Sequence, residues 1–272
     1  MTDTNTEPTV IAKWDPVLTK HVVDVMRPIV KRYFRSEVRG LENIPARGCL
    51  VVANHSGGMM TPDWPVFAVD YYDKFGYDRP LYALAHDLLF TGPADGLLKA
   101  LGIIRANPAN AAQALAADGV VLVFPGGDFD VYRPTMRENV IGFAGRTGYV
   151  SSAIEAGAPI VPTVFIGGQE TQLYLSRGRW LSRALRLDKL ERKLGRTDIL
   201  PITFGFPFGL SVLLPVNMPL PTKIVGQVLP QIDIAAEFGD EPDVDRVDVH
   251  VRAVMQTALA RLARQRRLPV VG

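Results

Sequence analysis

Cys49-Leu50-Val51-Val52-Ala53-Asn54-His55-Ser56-Gly57-Gly58 decides how this chain is read. Its first five residues are an unbroken apolar run of strand length, which reads as a strand buried on both faces. A histidine follows at once in a glycine-rich turn, where an open α/β sheet exposes its chemistry. Thr61-Pro62-Asp63 then looks like a helix start, with Thr61 as N-cap and Pro62 at the first helical position. Asp63 falls in the first helical turn, where backbone N–H groups favour its ionised form. A His before the turn and an Asp after it can meet. The Asp would fix the imidazole tautomer and leave the other nitrogen to take a proton from a hydroxyl. The same two residues also suit a plainer arrangement, in which His55 closes the turn and Asp63 caps the helix.

Outward from this stretch, apolar runs alternate with amphipathic ones. Strands are expected from Val38 and over 81–85, 103–104, 120–124, 160–166 and 223–228. Helices are expected over 62–72, 87–101 (capped by Asp87), 145–156 and from Asn107-Pro108 to Gly119. Asp15-Pro16 opens an amphipathic helix with Leu18, Val22, Val25, Met26, Ile29 and Tyr33 on one stripe, kinked at Pro28. A last helix over 244–267 carries Val247, Val251, Val254, Met255, Ala258 and Leu262 at helical spacing. This alternation implies an α/β fold: a mixed, largely parallel sheet flanked by helices on both faces. The length suits one domain, 13–272, behind a disordered N-terminus at 1–12.

A second glycine turn follows the next strand: Val120-Val121-Leu122-Val123-Phe124-Pro125-Gly126-Gly127-Asp128. Gly126-Gly127 offers backbone N–H groups at close approach to a ligand, although an ordinary strand-to-loop turn has the same look. Together the segments resemble the glycerolipid acyltransferase family. That family has a block Asn-His-x-x-x-x-Asp, a second with Gly and Arg, a third written Phe-Pro-Glu-Gly-Thr-Arg, and a fourth apolar block rich in Pro. Here they correspond to Asn54-His55 with Asp63, Gly102-Ile103-Ile104-Arg105, Phe124-Pro125-Gly126-Gly127 and Ala158-Pro159-Ile160-Val161-Pro162. The order fits, and the resemblance covers about residues 36–230. Two departures matter. Seven residues separate His55 from Asp63. The third block ends in Gly-Asp-Phe, so Phe129 stands where phosphate-using members carry an Arg.

The resemblance implies a fatty acyl transfer from an acyl thioester, acyl-CoA or acyl carrier protein, to a hydroxyl of a lipid acceptor. His55 would be the general base and Asp63 its support. Gly57, Gly58, Pro125, Gly126 and Gly127 would line the substrate, with backbone N–H groups at the oxyanion, and Arg105 and Arg133 would meet phosphate groups. The Pro-Gly-Gly version is closest to the monoacylglycerol and diacylglycerol branch, hence to a neutral acceptor. No cofactor is implied. Two competing classes remain: a lipid-binding scaffold whose active site has drifted, and an acyl-thioester hydrolase.

Composition narrows the rest. The net charge is +2 and no basic stripe is interleaved with aromatics, so nucleic acid is not an expected partner. His21, His55, His86 and His250 lack metal-ligand spacing, so no metal is expected. Cys49 is the sole cysteine, which excludes an intrachain disulfide. There is no GxSxG elbow and no GxxxxGK[ST] loop. No apolar stretch is long enough to span a bilayer, and the first residues do not look like a secretory signal. Membrane contact is therefore expected to be peripheral, on the cytoplasmic face. The apolar stretch 199–221 and the basic group Arg177, Arg179, Trp180, Arg183 and Arg186 suit an interface, or else an ordinary loop and a solvated helix face. His86-Asp87 could form a second dyad or merely cap a helix, and Glu170 could line the cleft.

Overall fold

The apolar runs become strands in two sheets. In the computed structural model, which describes residues 10–186, 199–266 and 268, the strands are β1 (Glu37–Arg39), β2 (Cys49–Ala53), β3 (Leu81–Ala85), β4 (Ile103–Arg105), β5 (Val120–Val123), β6 (Ile160–Ile166), β7 (Leu173–Ser176), β8 (Ile202–Gly205), β9 (Gly209–Val212) and β10 (Val225–Val228). Seven of them form the main sheet in the order β1-β10-β6-β2-β5-β3-β4, while β7-β8-β9 form a small separate one. Strands β6, β2, β5, β3 and β4 are mutually parallel. β10 runs antiparallel to β6 and carries β1 parallel to itself. The sheet is therefore mixed and largely parallel.

Period-two alternation divides the core between the faces of this sheet. Leu50, Val52 and Val121 pack with α4 (Pro108–Ala116), α6 (Gly148–Glu155) and α8 (Val244–Gln265). Cys49, Val51, Ala53, Val120 and Leu122 pack with α1 (Pro16–Pro28) and α2 (Asp63–Phe75) on the other face. Every residue of β2 and of β6 is buried, as expected for central strands covered on both sides. Burial pushes the Cys49 thiol up to about 12, so it behaves as a small inert hydrophobe.

Several local expectations are corrected. Residues 1–9 of the expected disordered end lie outside the described residues; 10–12 belong to a 3-10 turn, Val10–Lys13. In α1, Asp15 caps the first turn as expected, accepting from the amides of Val17 and Leu18. The buried side, however, is Thr19 and Val23, continuing to Val30 and Phe34, whereas Val25, Ile29 and Tyr33 are exposed. After Pro28 the backbone winds into a π turn, Ile29–Tyr33, which keeps Val30 on the buried side. Pro62, not Thr61, is the N-cap of α2, and it caps without a side chain. The helix expected over 87–101 is two pieces, a 3-10 turn Asp87–Phe90 and α3 (Asp95–Ala100), split at Gly92-Pro93. The helix expected over 145–156 is the shorter α6.

Candidate active site

Parallel strands place their C-terminal ends on one edge, and the motif residues gather there. His55 follows β2, Phe124 follows β5, Arg105 ends β4 and Gly167 follows β6. Asn54, fully buried, ties two of these strands together. Its side-chain amide donates to the carbonyl of Phe165 at 2.9 Å, and its oxygen accepts from the Phe165 N–H at 2.8 Å.

The turn after Asn54 folds back on itself. Gly57 and Gly58 have φ of +89° and +69°, a region that side chains rarely adopt. A Cβ on Gly57 would meet Pro62 Cδ at 2.3 Å, and one on Gly58 would meet the Tyr174 hydroxyl at 2.5 Å. The doubled-back turn returns Asp63 to His55 despite the long spacing. His55 Nδ1 lies 2.8 Å from Asp63 Oδ2. The Ser56 N–H donates to the same oxygen at 2.6 Å, and the Ser56 hydroxyl donates to Asp63 Oδ1 at 2.7 Å. Asp63 is wholly buried at the start of α2 and holds three hydrogen-bond donors. With Nδ1 bound to a carboxylate, Nε2 is the nitrogen left to accept a proton. The imidazole stacks on the Phe124 ring at 4.1 Å, and 15% of its side chain remains exposed.

The Pro-Gly-Gly turn adds a group that the motif comparison does not contain. Asp130, in α5 (Gly127–Val131), accepts from the backbone N–H of His55 at 2.5 Å. Asp130 is buried and ion-paired to Arg133. Burial pushes its carboxyl above the usual range, and Arg133 and the His55 N–H oppose that. Arg146 clamps the turn by donating to the carbonyls of Pro125 and Gly126 and to Asp128.

The remaining expected residues divide. Arg133 is corrected: it is 3% exposed and committed to Asp130 and to the Val140 carbonyl, which makes it structural rather than an open phosphate ligand. The Gly127 N–H donates to the Phe124 carbonyl, so it is spent within the turn and does not face an oxyanion. Arg105 lies 5.0 Å over the Phe90 ring and 3.5 Å from Asp87, on β4, three strands from β2 and hence about 14 Å away at the usual strand spacing. His86 accepts from the Leu88 N–H and caps its turn, so His86-Asp87 is no dyad. Glu170 forms a bidentate pair with Arg266. A cation the motifs did not assign sits beside Phe129: Arg177 stacks 3.6 Å over that ring and donates from Nε to the Phe129 carbonyl at 2.7 Å. Its only forward signal was its place in a basic run.

A buried Asp orienting a His at the end of a central parallel strand, beside a Pro-Gly-Gly turn, is arranged to withdraw a proton from a hydroxyl. A family model described as Acyltransferase matches residues 35–166, which contain all of this. An uncharacterized protein of Mycobacterium tuberculosis is 33% identical over 261 residues, covering 93% of this chain and 69% of its own.

The chain is similar to the acyltransferase family over residues 35–166, just under half of its length.

Among other relatives is an uncharacterized protein of Mycobacterium leprae, 30% identical over 93% of this chain and 67% of its own. A 1-acyl-sn-glycerol-3-phosphate acyltransferase of Pseudomonas aeruginosa is 32% identical over 149 residues, 50% of this chain and 51% of that protein. The fold matches a crystal structure of the 1-acyl-sn-glycerophosphate acyltransferase from Thermotoga maritima, with a TM-score of 0.52 and 20% identity over 90% of this chain and 81% of that one.

Proposed function

We propose that this protein is an acyltransferase that moves a fatty acyl group from an acyl thioester, on coenzyme A or acyl carrier protein, to a hydroxyl of a lipid acceptor. The observation that carries the reading is the 2.8 Å contact of His55 Nδ1 with buried Asp63. The acceptor oxygen attacks the thioester carbonyl while Nε2 of His55 takes its proton, and Asp63 supports the imidazolium. Collapse of the tetrahedral intermediate breaks the C–S bond, and the departing thiolate takes the proton back. A thioester is already activated, so no covalent enzyme intermediate is needed. The long spacing in the first block favours a drifted scaffold, and the close His55–Asp63 pair supports catalysis against it. The enzyme works at a membrane surface on its cytoplasmic side, where both lipid substrates are at hand.

Phe129, in place of an Arg, supports an acceptor without a phosphate at the acylated end, such as a monoacylglycerol or diacylglycerol. A second reading has one observation behind it. Arg177 brings a guanidinium to that same ring from β7's end, which supports a phosphate site rebuilt from another segment. Competition between diacylglycerol and lysophosphatidic acid separates the two. A preference for lysophosphatidic acid that Arg177→Ala abolishes would favour the second. The broader test is mass spectrometry of products formed from mixed acyl donors and a panel of lipid acceptors. Thiol release that needs the acceptor marks a transferase, release without it marks a hydrolase, and no release marks a scaffold.

A further inference from the structure

The small sheet β7-β8-β9 has its polarity reversed. An antiparallel sheet with one face in water ordinarily turns apolar residues inward and polar residues outward. Here the cross-strand row Tyr174, Thr203, Ser211 is buried, at 2%, 8% and 5% exposure. The row beside it, Leu173, Phe204, Leu210, stands outward at 50%, 52% and 63%. The inward polar groups are satisfied: Thr203 and Ser211 hydroxyls pair at 3.0 Å, and Asn217 donates to Ser211. The outward face is extended by exposed Phe206, Phe208, Leu214 and Met218. So wide an apolar face marks a docking surface.

We propose that this outward face is seated on an anionic lipid bilayer. Three observations select lipid. The first is charge: residues 199–221 contain no Asp, Glu, Lys or Arg, whereas 173–186 contain four Arg and no acid. Arg183 and Arg186 are exposed beside Trp180, which is 64% exposed in α7 (Arg179–Ala184). Trp with Arg at the rim of an apolar face matches the headgroup layer of an anionic leaflet. The second is size. The four-residue strands reach about 13 Å, well short of a hydrocarbon core of about 30 Å, so the sheet enters one leaflet and does not cross. No helix among the described residues is long and apolar enough to cross either. The third is position. The buried Tyr174 hydroxyl lies against Gly58 of the catalytic turn, one layer behind the outward face. Docking there sets the His55 edge beside the source of a lipid substrate, although the surface stands whatever the acceptor proves to be.

Vesicle flotation tests this with the whole chain. The wild type is expected to float with phosphatidylcholine–phosphatidylglycerol vesicles and less with phosphatidylcholine alone. Phe204→Ser combined with Leu210→Ser should reduce partition by at least about tenfold, since two large side chains lose their apolar burial. Val249→Ser, which alters an exposed apolar residue on α8, should float like the wild type. Arg183→Glu should weaken binding to the anionic vesicles only, and high salt should erase that difference. Circular dichroism checks the double variant's fold. If it does not fold, Trp180 in the wild type carries the test, with quenching by brominated lipids expected. A wild type that floats with neither vesicle, a folded double variant that floats unchanged, or absent quenching overturns the proposal. So does a wild-type dimer that does not float and that the double variant disperses, because a second copy would then cover the face.

Discussion

Asp130 accepts the backbone N–H of His55 at 2.5 Å, so the Pro-Gly-Gly helix holds the histidine's main chain while Asp63 holds its ring. The two glycine turns are thereby one unit. Asp130→Ala would free that N–H and leave the Arg133 guanidinium buried without its carboxylate. Breaking one side of a buried pair costs about 3–5 kcal/mol. Chemical denaturation should report a loss of that order, and turnover should fall with it. A variant as stable as the wild type would show that Arg133 finds another partner.

Asp63→Asn keeps the shape of the side chain and removes its charge. Turnover should drop by about 10²–10⁴-fold, because the imidazolium loses its support. KM should change little, since Asp63 is fully buried and does not reach the acceptor. A rise in KM with kcat intact would place Asp63 in substrate binding instead.

Asn54 is held to a structural role by its two bonds to the Phe165 backbone. Asn54→Ala leaves a buried N–H and a buried carbonyl without partners, at about 1–3 kcal/mol each. A stability loss of about 2–6 kcal/mol is expected from urea melts on that basis. A loss below that range would mean that β2 and β6 are secured by their ladder alone.

How far the chain could be read ahead of its structure differs by element. β2, β3 and β6 were legible to the residue, because unbroken apolar runs between turn signals have few other uses. The meeting of His55 and Asp63 was legible from the turn's glycines. The buried side of α1 was not: Thr19 and Val23 face the core, although Leu18 and Val22, one position away, offer an equally regular stripe. The reversed sheet was hidden for a related reason: 199–221 looks simply apolar, and only strand pairing shows which residues point outward. Asp130 was invisible because its contact with His55 spans 75 positions and depends on β5 lying next to β2.

Glu170 gives a pH signature. Burial pushes its carboxyl from 4.5 up to about 7, with Arg266 opposing and Glu138 adding to the rise. The folded state therefore binds the proton more tightly than the unfolded state does. Stability from this group is fullest below about 4.5 and is lost as pH rises to about 7. Glu170→Gln should make the fall in stability across that window shallower in denaturant melts. An unchanged slope would show that Glu170 is ionised throughout.

The most direct measurement is thiol release and lipid product from an acyl-CoA and a lipid acceptor, compared between the wild type and His55→Ala. The proposed function makes His55 the general base, and losing such a group costs about 10²–10⁴-fold in rate. The account predicts acceptor-dependent release by the wild type and a fall of that size in His55→Ala, with the variant's melting temperature near that of the wild type. Undiminished turnover in folded His55→Ala would contradict it.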